Sequence, residues 1–367
     1  MSLPPNPRRP SSFLPVIFVA IASHVHASEW QGIEFRHHDW ELACDNTGTC
    51  RAAGYQPMDA EPAVSVLLTR KAGPHQPVTG QVMIGHYGDD AVPPNIGDPI
   101  PLTLRIDGRN IGPVKIPQRS FTADLPPEHV SALLASLRRS SSIEWSSGEH
   151  HWRLSDNGAT AVLLKMDEHQ GRIGTPGALV RRGSRPESEV PPAAPVPRIA
   201  AARLGPANEG DIGFAANPPK ALLAALLASI DVERCWLRED PDKPLELEVK
   251  RLSESKIVLA ADCWGAAYNF GQVVWLVNDE APFNPTIVTT DASYIDDDGT
   301  IFAQHKGRGL GDCWSRESWT WTGREYVPSL VSTTGMCRLV APGGTWDLHT
   351  LVTEVIPEMP APAATTD

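Results

Sequence analysis

RRGSRPESEVPPAAPVPRIAAARLGP, residues 181–206, divides the chain. The stretch is rich in Pro, Ala and charge, and it has no aromatic residue and no sustained apolar period. Proline at this density rules out a continuous helix or a central strand, and the composition reads as a semi-extended linker. Drawn out to residue 210, it separates residues 28–180 from residues 211–356, each long enough for an ordinary domain. The linker is expected to be open to protease while both flanking domains survive.

Upstream of the linker, Phe35 to Ala43 (FRHHDWELA) alternates as one strand would. Cys44-Asp45-Asn46-Thr47-Gly48-Thr49-Cys50 then supplies turn chemistry between two cysteines. Ala63–Thr69, Gln81–Gly85 and Leu102–Ile106 read as further strands, and Asp107-Gly108 as a hairpin turn. Val130, Leu133, Leu134 and Leu137 form one apolar face of a helix from about Pro127 to Arg139. A second helix, about Gly158 to Glu168, is expected behind Ser155-Asp156-Asn157 as its capping run.

Downstream, Asn217-Pro218-Pro219 opens a helix over Ala221–Ile230 that is apolar nearly all round, which predicts burial on every side. Strands are expected at Leu245–Lys250, Lys256–Cys263, Gln272–Val277, Thr286–Thr290, Tyr294–Ile295, Thr300–Gln304, Ser318–Trp321 and Ser329–Thr333. The fold class is therefore α+β: two domains, each a mainly antiparallel sheet with one or two helices. A tail over residues 357–367 is expected to fray.

The chain begins like an exported protein. Arg8 and Arg9 precede a short apolar run, Phe13 to Ser23, and Val25-His26-Ala27 offers a cleavage site after Ala27. The run is too short for a permanent membrane span, so residues 1–27 read as a cleaved signal peptide. Six cysteines, Cys44, Cys50, Cys235, Cys263, Cys313 and Cys337, read as disulfides in that setting. The short turn pairs Cys44 with Cys50. Among the others, Cys235–Cys263 and Cys313–Cys337 are the expected pairs. No ligand spacing for zinc is present. The net charge of −12 becomes −14 once the leader's two arginines are gone. That acidity argues against nucleic acid as a partner. The sequence implies a periplasmic or secreted protein without a transmembrane segment, a metal or a cofactor.

No motif forces a catalytic reading. GxSxG is missing, and Asp296-Asp297-Asp298-Gly299 fails as a calcium loop, because position twelve from Asp296 is Gly307. His37-His38 and His150-His151 are poor chelates on strands, where neighbours point to opposite faces. The glycine-rich segment His305 to Cys313 has two open readings: a loop whose amides and basic side chains hold an anion, or a bend beside a disulfide. Six tryptophans, Trp264, Trp275, Trp314, Trp319, Trp321 and Trp346, concentrate in the second half. They could stack on sugars or anchor a partner, or they could simply be core. Trp319 and Trp321 share a strand face and are the expected exposed patch. Lys306, Arg308, Trp319 and Trp321 are thus the candidate binding residues.

Several stretches taken together carry a resemblance. They are HHDWELACDNTGTCRAAGYQ (37–56), LSDNGATAVLLKMDEHQGRIGTPGALVRRG (154–183), CWGAAYNF (263–270), HKGRGLGDCWSRESWTWTG (305–323) and Met336-Cys337-Arg338. As a set they resemble the bacterial envelope proteins grouped as domain of unknown function 1176. The chain has Gly265-Ala266-Ala267-Tyr268-Asn269 where that family's pattern is Gly-Ala-Tyr-Asn. The opening Trp, Cys and Cys pattern is also similar to the invasion-associated locus B proteins. The first resemblance implies export from a Gram-negative bacterium and no assigned activity. The functional expectation is a non-catalytic module that binds another envelope component, protein or glycan. An envelope hydrolase is the alternative.

Overall fold

The structure is a computed structural model, and it describes residues 32–88, 92, 96–207, 209–231, 233–236 and 245–358. The expected signal peptide, residues 1–27, and most of the expected tail lie outside the described residues. The first half contributes β1 (Ile33–His37), β2 (Trp40–Cys44), β3 (Cys50–Tyr55), β4 (Val64–Arg70), β5 (Val78–Ile84), β6 (Ile100–Ile106), β7 (Arg109–Ile116) and β8 (Thr122–Asp124). It continues with α1 (Pro127–Ser136), β9 (Ile143–Ser147), β10 (His150–Leu154) and α2 (Ala159–His169). Strands β1 to β5 run as an antiparallel meander that β8 extends, and β10-β9-β6-β7 form a second antiparallel sheet.

Alternation builds the core between these layers. Trp40, Leu42, Ala52, Val64, Val66, Leu68 and Val82 point inward and are buried. They meet Leu104, Trp145 and Trp152 of the second sheet and Val130, Leu133 and Val162 of the helices. FRHHDWELA is not one strand: it holds both arms of a hairpin and the turn between them, with Arg36 paired to Glu41 and His37 to Trp40. His38 takes a positive φ of 53°, so the chain reverses where the alternation had suggested continuity. The expected cap of α2 also differs: Gly158 is the capping residue, at φ 98°, with no side-chain cap bond.

The Pro-rich stretch crosses between the halves by way of β11 (Arg198–Ala201). Val190 is buried, and Arg172 pairs with Glu187 at 2.8 Å. The second half then contributes α3 (Glu209–Ala216), α4 (Lys220–Ser229), β12 (Glu248–Arg251), β13 (Lys256–Gly265), β14 (Phe270–Asn278), β15 (Thr286–Ala292), β16 (Tyr294–Ile295), β17 (Ile301–Lys306), β18 (Trp314–Trp321), β19 (Tyr326–Thr333), β20 (Leu348–Val352) and β21 (Glu354–Pro357). Strands β12 to β15 form one antiparallel sheet and β16 to β20 another. Strand β11 pairs in parallel with β21, so Pro357 lies in a strand and faces Ala201.

Val258, Ala260, Val274, Ile295, Ile301 and Trp321 fill the space between these two sheets. On the far side of β13 and β14, Leu222 and Leu226 of α4 pack against Leu259, Val273 and Trp275. Helix α4 is not buried all round as its composition predicted. Leu222 and Leu226 are its buried residues, whereas Leu227 is exposed. The helix covers one face of a sheet, and no second layer covers the helix among the described residues. The protein is thus α+β with mainly antiparallel sheets. The disulfides are Cys44–Cys50, Cys235–Cys263 and Cys313–Cys337. Among the described residues, no helix is long and apolar enough to cross a membrane.

The two halves share a core of their own. The outward face of the first sheet, with Ala43, Ala53, Tyr55 and Leu67, is covered by Met336, Val340, Trp346 and Leu348. Polar bonds thread this layer. Arg338 Nη2 donates to Asp39 Oδ1 at 2.7 Å, and Trp346 Nε1 donates to the Ser65 hydroxyl at 2.7 Å. The Tyr55 hydroxyl donates to Glu41 Oε1 at 2.6 Å, and that same oxygen accepts the Met336 N–H at 2.6 Å.

Candidate functional site

Lys306 ends β17, and the glycine-rich segment loops from there to Cys313. The Gly307 N–H donates to the Cys313 carbonyl, and the Cys313–Cys337 disulfide closes the base of the loop. Arg308 turns back onto Asp312: its Nε and Nη2 reach the two carboxylate oxygens at 2.7 and 2.5 Å. Asp312 is fully buried and also accepts the Leu339 N–H. Burial would push its carboxyl up, but the Arg308 and Leu339 donors outweigh that and hold it below its usual range. Part of the Arg308 side chain is therefore committed to the fold, although 38% of it remains exposed. Lys306 lies over the Trp314 ring at 5.4 Å, and the Trp314 Nε1 donates to the Gly311 carbonyl.

The two tryptophans expected to form the exposed patch sit differently. Trp321 is 2% exposed and belongs to the core between the sheets, and Trp319 is half-buried against the same cluster. The hydrophobic drive that buries one face of β18 claims both rings.

The exposed aromatic surface lies on the other side of the glycine loop. Trp236 and Trp264 each follow a half-cystine, and the Cys235–Cys263 disulfide brings them together with ring centroids 6.0 Å apart. His305 continues the row, 5.1 Å from Trp264. Trp264 is half-buried and lies flat on Gly271, where an added Cβ would fall 2.2 Å from the indole nitrogen. Its Nε1 donates to the Thr290 carbonyl and to Asp291 Oδ1. Trp236, Tyr268 and Phe270 are 44%, 47% and 53% exposed. Arg234, Trp236, Trp264, Thr290 and Asp291 line a cleft of about 290 Å³.

This surface and the glycine loop are one unit. Asn269 bonds both the N–H and the carbonyl of Lys306, at 2.9 Å each. The His305 Nε2 sits 3.1 Å from the Phe270 carbonyl. Tyr268 packs against Gly309, and the Tyr87 hydroxyl reaches across from the first half to the Leu310 carbonyl at 2.6 Å. Lys306 and Arg308 thus belong to the loop that this surface braces, but neither side chain lines the tryptophan cleft: Lys306 lies on Trp314 and Arg308 on Asp312. Trp236 and His305 were not singled out as aromatic platform residues from sequence. A signal was present in the triple recurrence of Cys-Trp, at 235–236, 263–264 and 313–314.

Among the described residues, two clusters have metal-like ligand sets, Cys44/Cys50/His169 and Asp312/Cys313/Cys337. Each is built on a disulfide whose sulfurs are already bonded to one another.

The chain is 24% identical over 310 residues to the uncharacterized protein YpfG of Escherichia coli (strain K12), covering 78% of this chain and 84% of that one. No solved structure matches it. Residues 34–353 match the family described as protein of unknown function (DUF1176), the resemblance that the separated stretches carry, and the chain belongs to that family.

Proposed function

We propose that the protein is an exported, periplasmic binding module of a Gram-negative envelope, and that its ligand is a carboxylate-bearing glycan. The observation that carries this reading is the row of Trp236, Trp264 and His305 beside a cleft with Arg234 and Asp291 on its rim. Flat aromatic faces next to a few fixed polar groups suit a sugar ring, which offers an apolar face and hydroxyls at its edge. Arg234 puts a positive charge on the lining itself, and Lys306 and Arg308 stand on the adjoining loop of an otherwise acidic chain, which suits a carboxylate. The Cys235–Cys263 disulfide holds Trp236 and Trp264 together, so little ordering is required on binding. Three disulfides also fit an oxidising compartment, and the leader read in residues 1–27 supports export.

Tryptophan fluorescence tests the reading. Soluble peptidoglycan fragments should change the emission saturably, and neutral cellohexaose should bind at least tenfold more weakly. Trp236→Ala and Lys306→Ala should each weaken binding about tenfold with little change in melting temperature, because both side chains reach solvent. A flat titration with the fragments, or full affinity in both variants, would overturn the proposal.

A further inference from the structure

A larger cavity, about 570 Å³, lies where the second half covers the outward face of the first sheet. It lies apart from the tryptophan cleft and shares no lining residue with it. The volume is in the range of sites that enclose small molecules. Its floor is Arg51 of β3 with Gln81 of β5, and its walls include Arg316 of β18, Thr345, Asp347 and His349.

Two side chains of this wall have N–H donors to spare for an anion. Arg51 uses Nη1 on Asp45 at 2.8 Å, and its Nε and Nη2 have no partner among the described residues. Arg316 gives Nη1 to Asp347 at 3.1 Å and Nη2 to the Gly343 carbonyl at 3.4 Å, which leaves its Nε open. Two guanidinium groups thus present unused N–H donors to one space from opposite halves of the chain. A guanidinium edge matches the two oxygens of a carboxylate or phosphate. Each guanidinium has one carboxylate beside it, Asp45 behind Arg51 and Asp347 beside Arg316, so the two arginines are balanced in charge and it is their unused N–H donors that an anion would take.

We propose that this cavity is a second binding site, for a small molecule bearing a carboxylate or phosphate group, gripped between Arg51 of the first half and Arg316 of the second. Occupancy would bridge the halves, so binding and their association would be coupled by mass action.

The test is thermal denaturation at constant ionic strength with four probes: inorganic phosphate, glutarate, galacturonate and neutral galactose. At least one of the three anions should raise the melting temperature saturably, and galactose should not. Which anion does so distinguishes a phosphate from a simple carboxylate or a sugar acid. Arg316→Gln should weaken that binding at least tenfold. Its own melting temperature should stay within a few degrees of wild type, because the Arg316 side chain is 36% exposed. Arg51→Lys, which keeps the charge beside Asp45 but loses the fork, guards against a folding artefact and should also weaken binding. Trp236→Ala should leave it unchanged, which separates this site from the tryptophan cleft. Absence of saturable stabilisation by all three anions, or binding that survives both arginine variants, would overturn the assignment.

Discussion

The six-stranded sheet has two buried faces made of different material. Its inner face is Trp40, Leu42, Ala52, Val66 and Leu68 against the helices and second sheet of the same half. Its outer face carries Glu41, Arg51, Ser65 and Thr69 among Ala43, Ala53, Tyr55 and Leu67, and the second half covers it. The first face is held by area removed from water, which tolerates no gap but asks for no direction. The second is held by paired polar groups whose partners are some 280 to 300 residues away, such as Glu41–Met336 and Asp39–Arg338. A mutation on the inner face should therefore cost in proportion to volume. One on the outer face should cost according to what it leaves unpaired.

Trp40→Ala is expected to have the largest effect. The ring is fully buried, rests on Gly54 and donates to the Ser155 carbonyl at 2.8 Å. Removing it should cost about 3–5 kcal/mol, read as a lowered urea midpoint. Arg338→Ala should come next, at about 3 kcal/mol, the lower end for breaking a buried ion pair. The lower end applies because Asp39 keeps the Ser155 hydroxyl as a donor at 2.6 Å. Adding Asp39→Asn should recover part of the loss, since the buried charge then disappears with its partner. A cost below about 0.5 kcal/mol for Arg338→Ala would mean that the outer face is a wet rim, and the contrast between the faces would fail.

Sequence reading sees these faces unequally, for a physical reason. A period of two identifies the inner face, and among the described residues three of the four helices and a little over half of the strands fall where pattern and turn chemistry put them. The same period marks Glu41, Ser65 and Gln81 as solvent-facing, because nothing local says that residues near 340 will cover them. The Pro-rich stretch reads as a linker for the same reason. Its proline content excludes a central strand, but the edge pairing of Arg198–Ala201 with Glu354–Pro357 depends on a partner over 150 residues away. At the candidate site, the loop Lys306 to Cys313 was legible from its glycines and charges. The surface beside it was not, because Trp236 and Trp264 are 28 residues apart and become neighbours through a disulfide. Alternation puts Trp319 and Trp321 on one face of β18 but does not tell which face is covered, and Trp321 is buried in the core.

The smallest of the expected effects sharpens the comparison by giving the outer face a pH signature that the inner face lacks. Tyr55 is fully buried, and burial, with the Glu41 carboxylate next in weight, raises its hydroxyl well above the usual 10.0. A raised pKa in the folded state means that the unfolded chain gives up the proton first. The contribution of Tyr55 is then fully present below pH 10.0 and is lost as pH rises above it toward the folded value. Tyr55→Phe should cost about 1 kcal/mol near neutrality, the worth of one hydrogen bond, since Glu41 keeps the Met336 N–H. Above pH 10.0 the wild type should lose stability faster than the variant, by up to about 1.4 kcal/mol per pH unit. Tyr326, whose hydroxyl burial also raises, is present in both proteins and drops out of the difference. Urea unfolding of the two proteins between pH 8 and about pH 11 gives the measurement, and tyrosine falls in the range where its ordinary titration begins. Parallel stability curves across that range would show that Tyr55 ionises without unfolding the outer face. The Glu41–Tyr55–Met336 junction would then be open to water instead of part of a sealed layer between the halves.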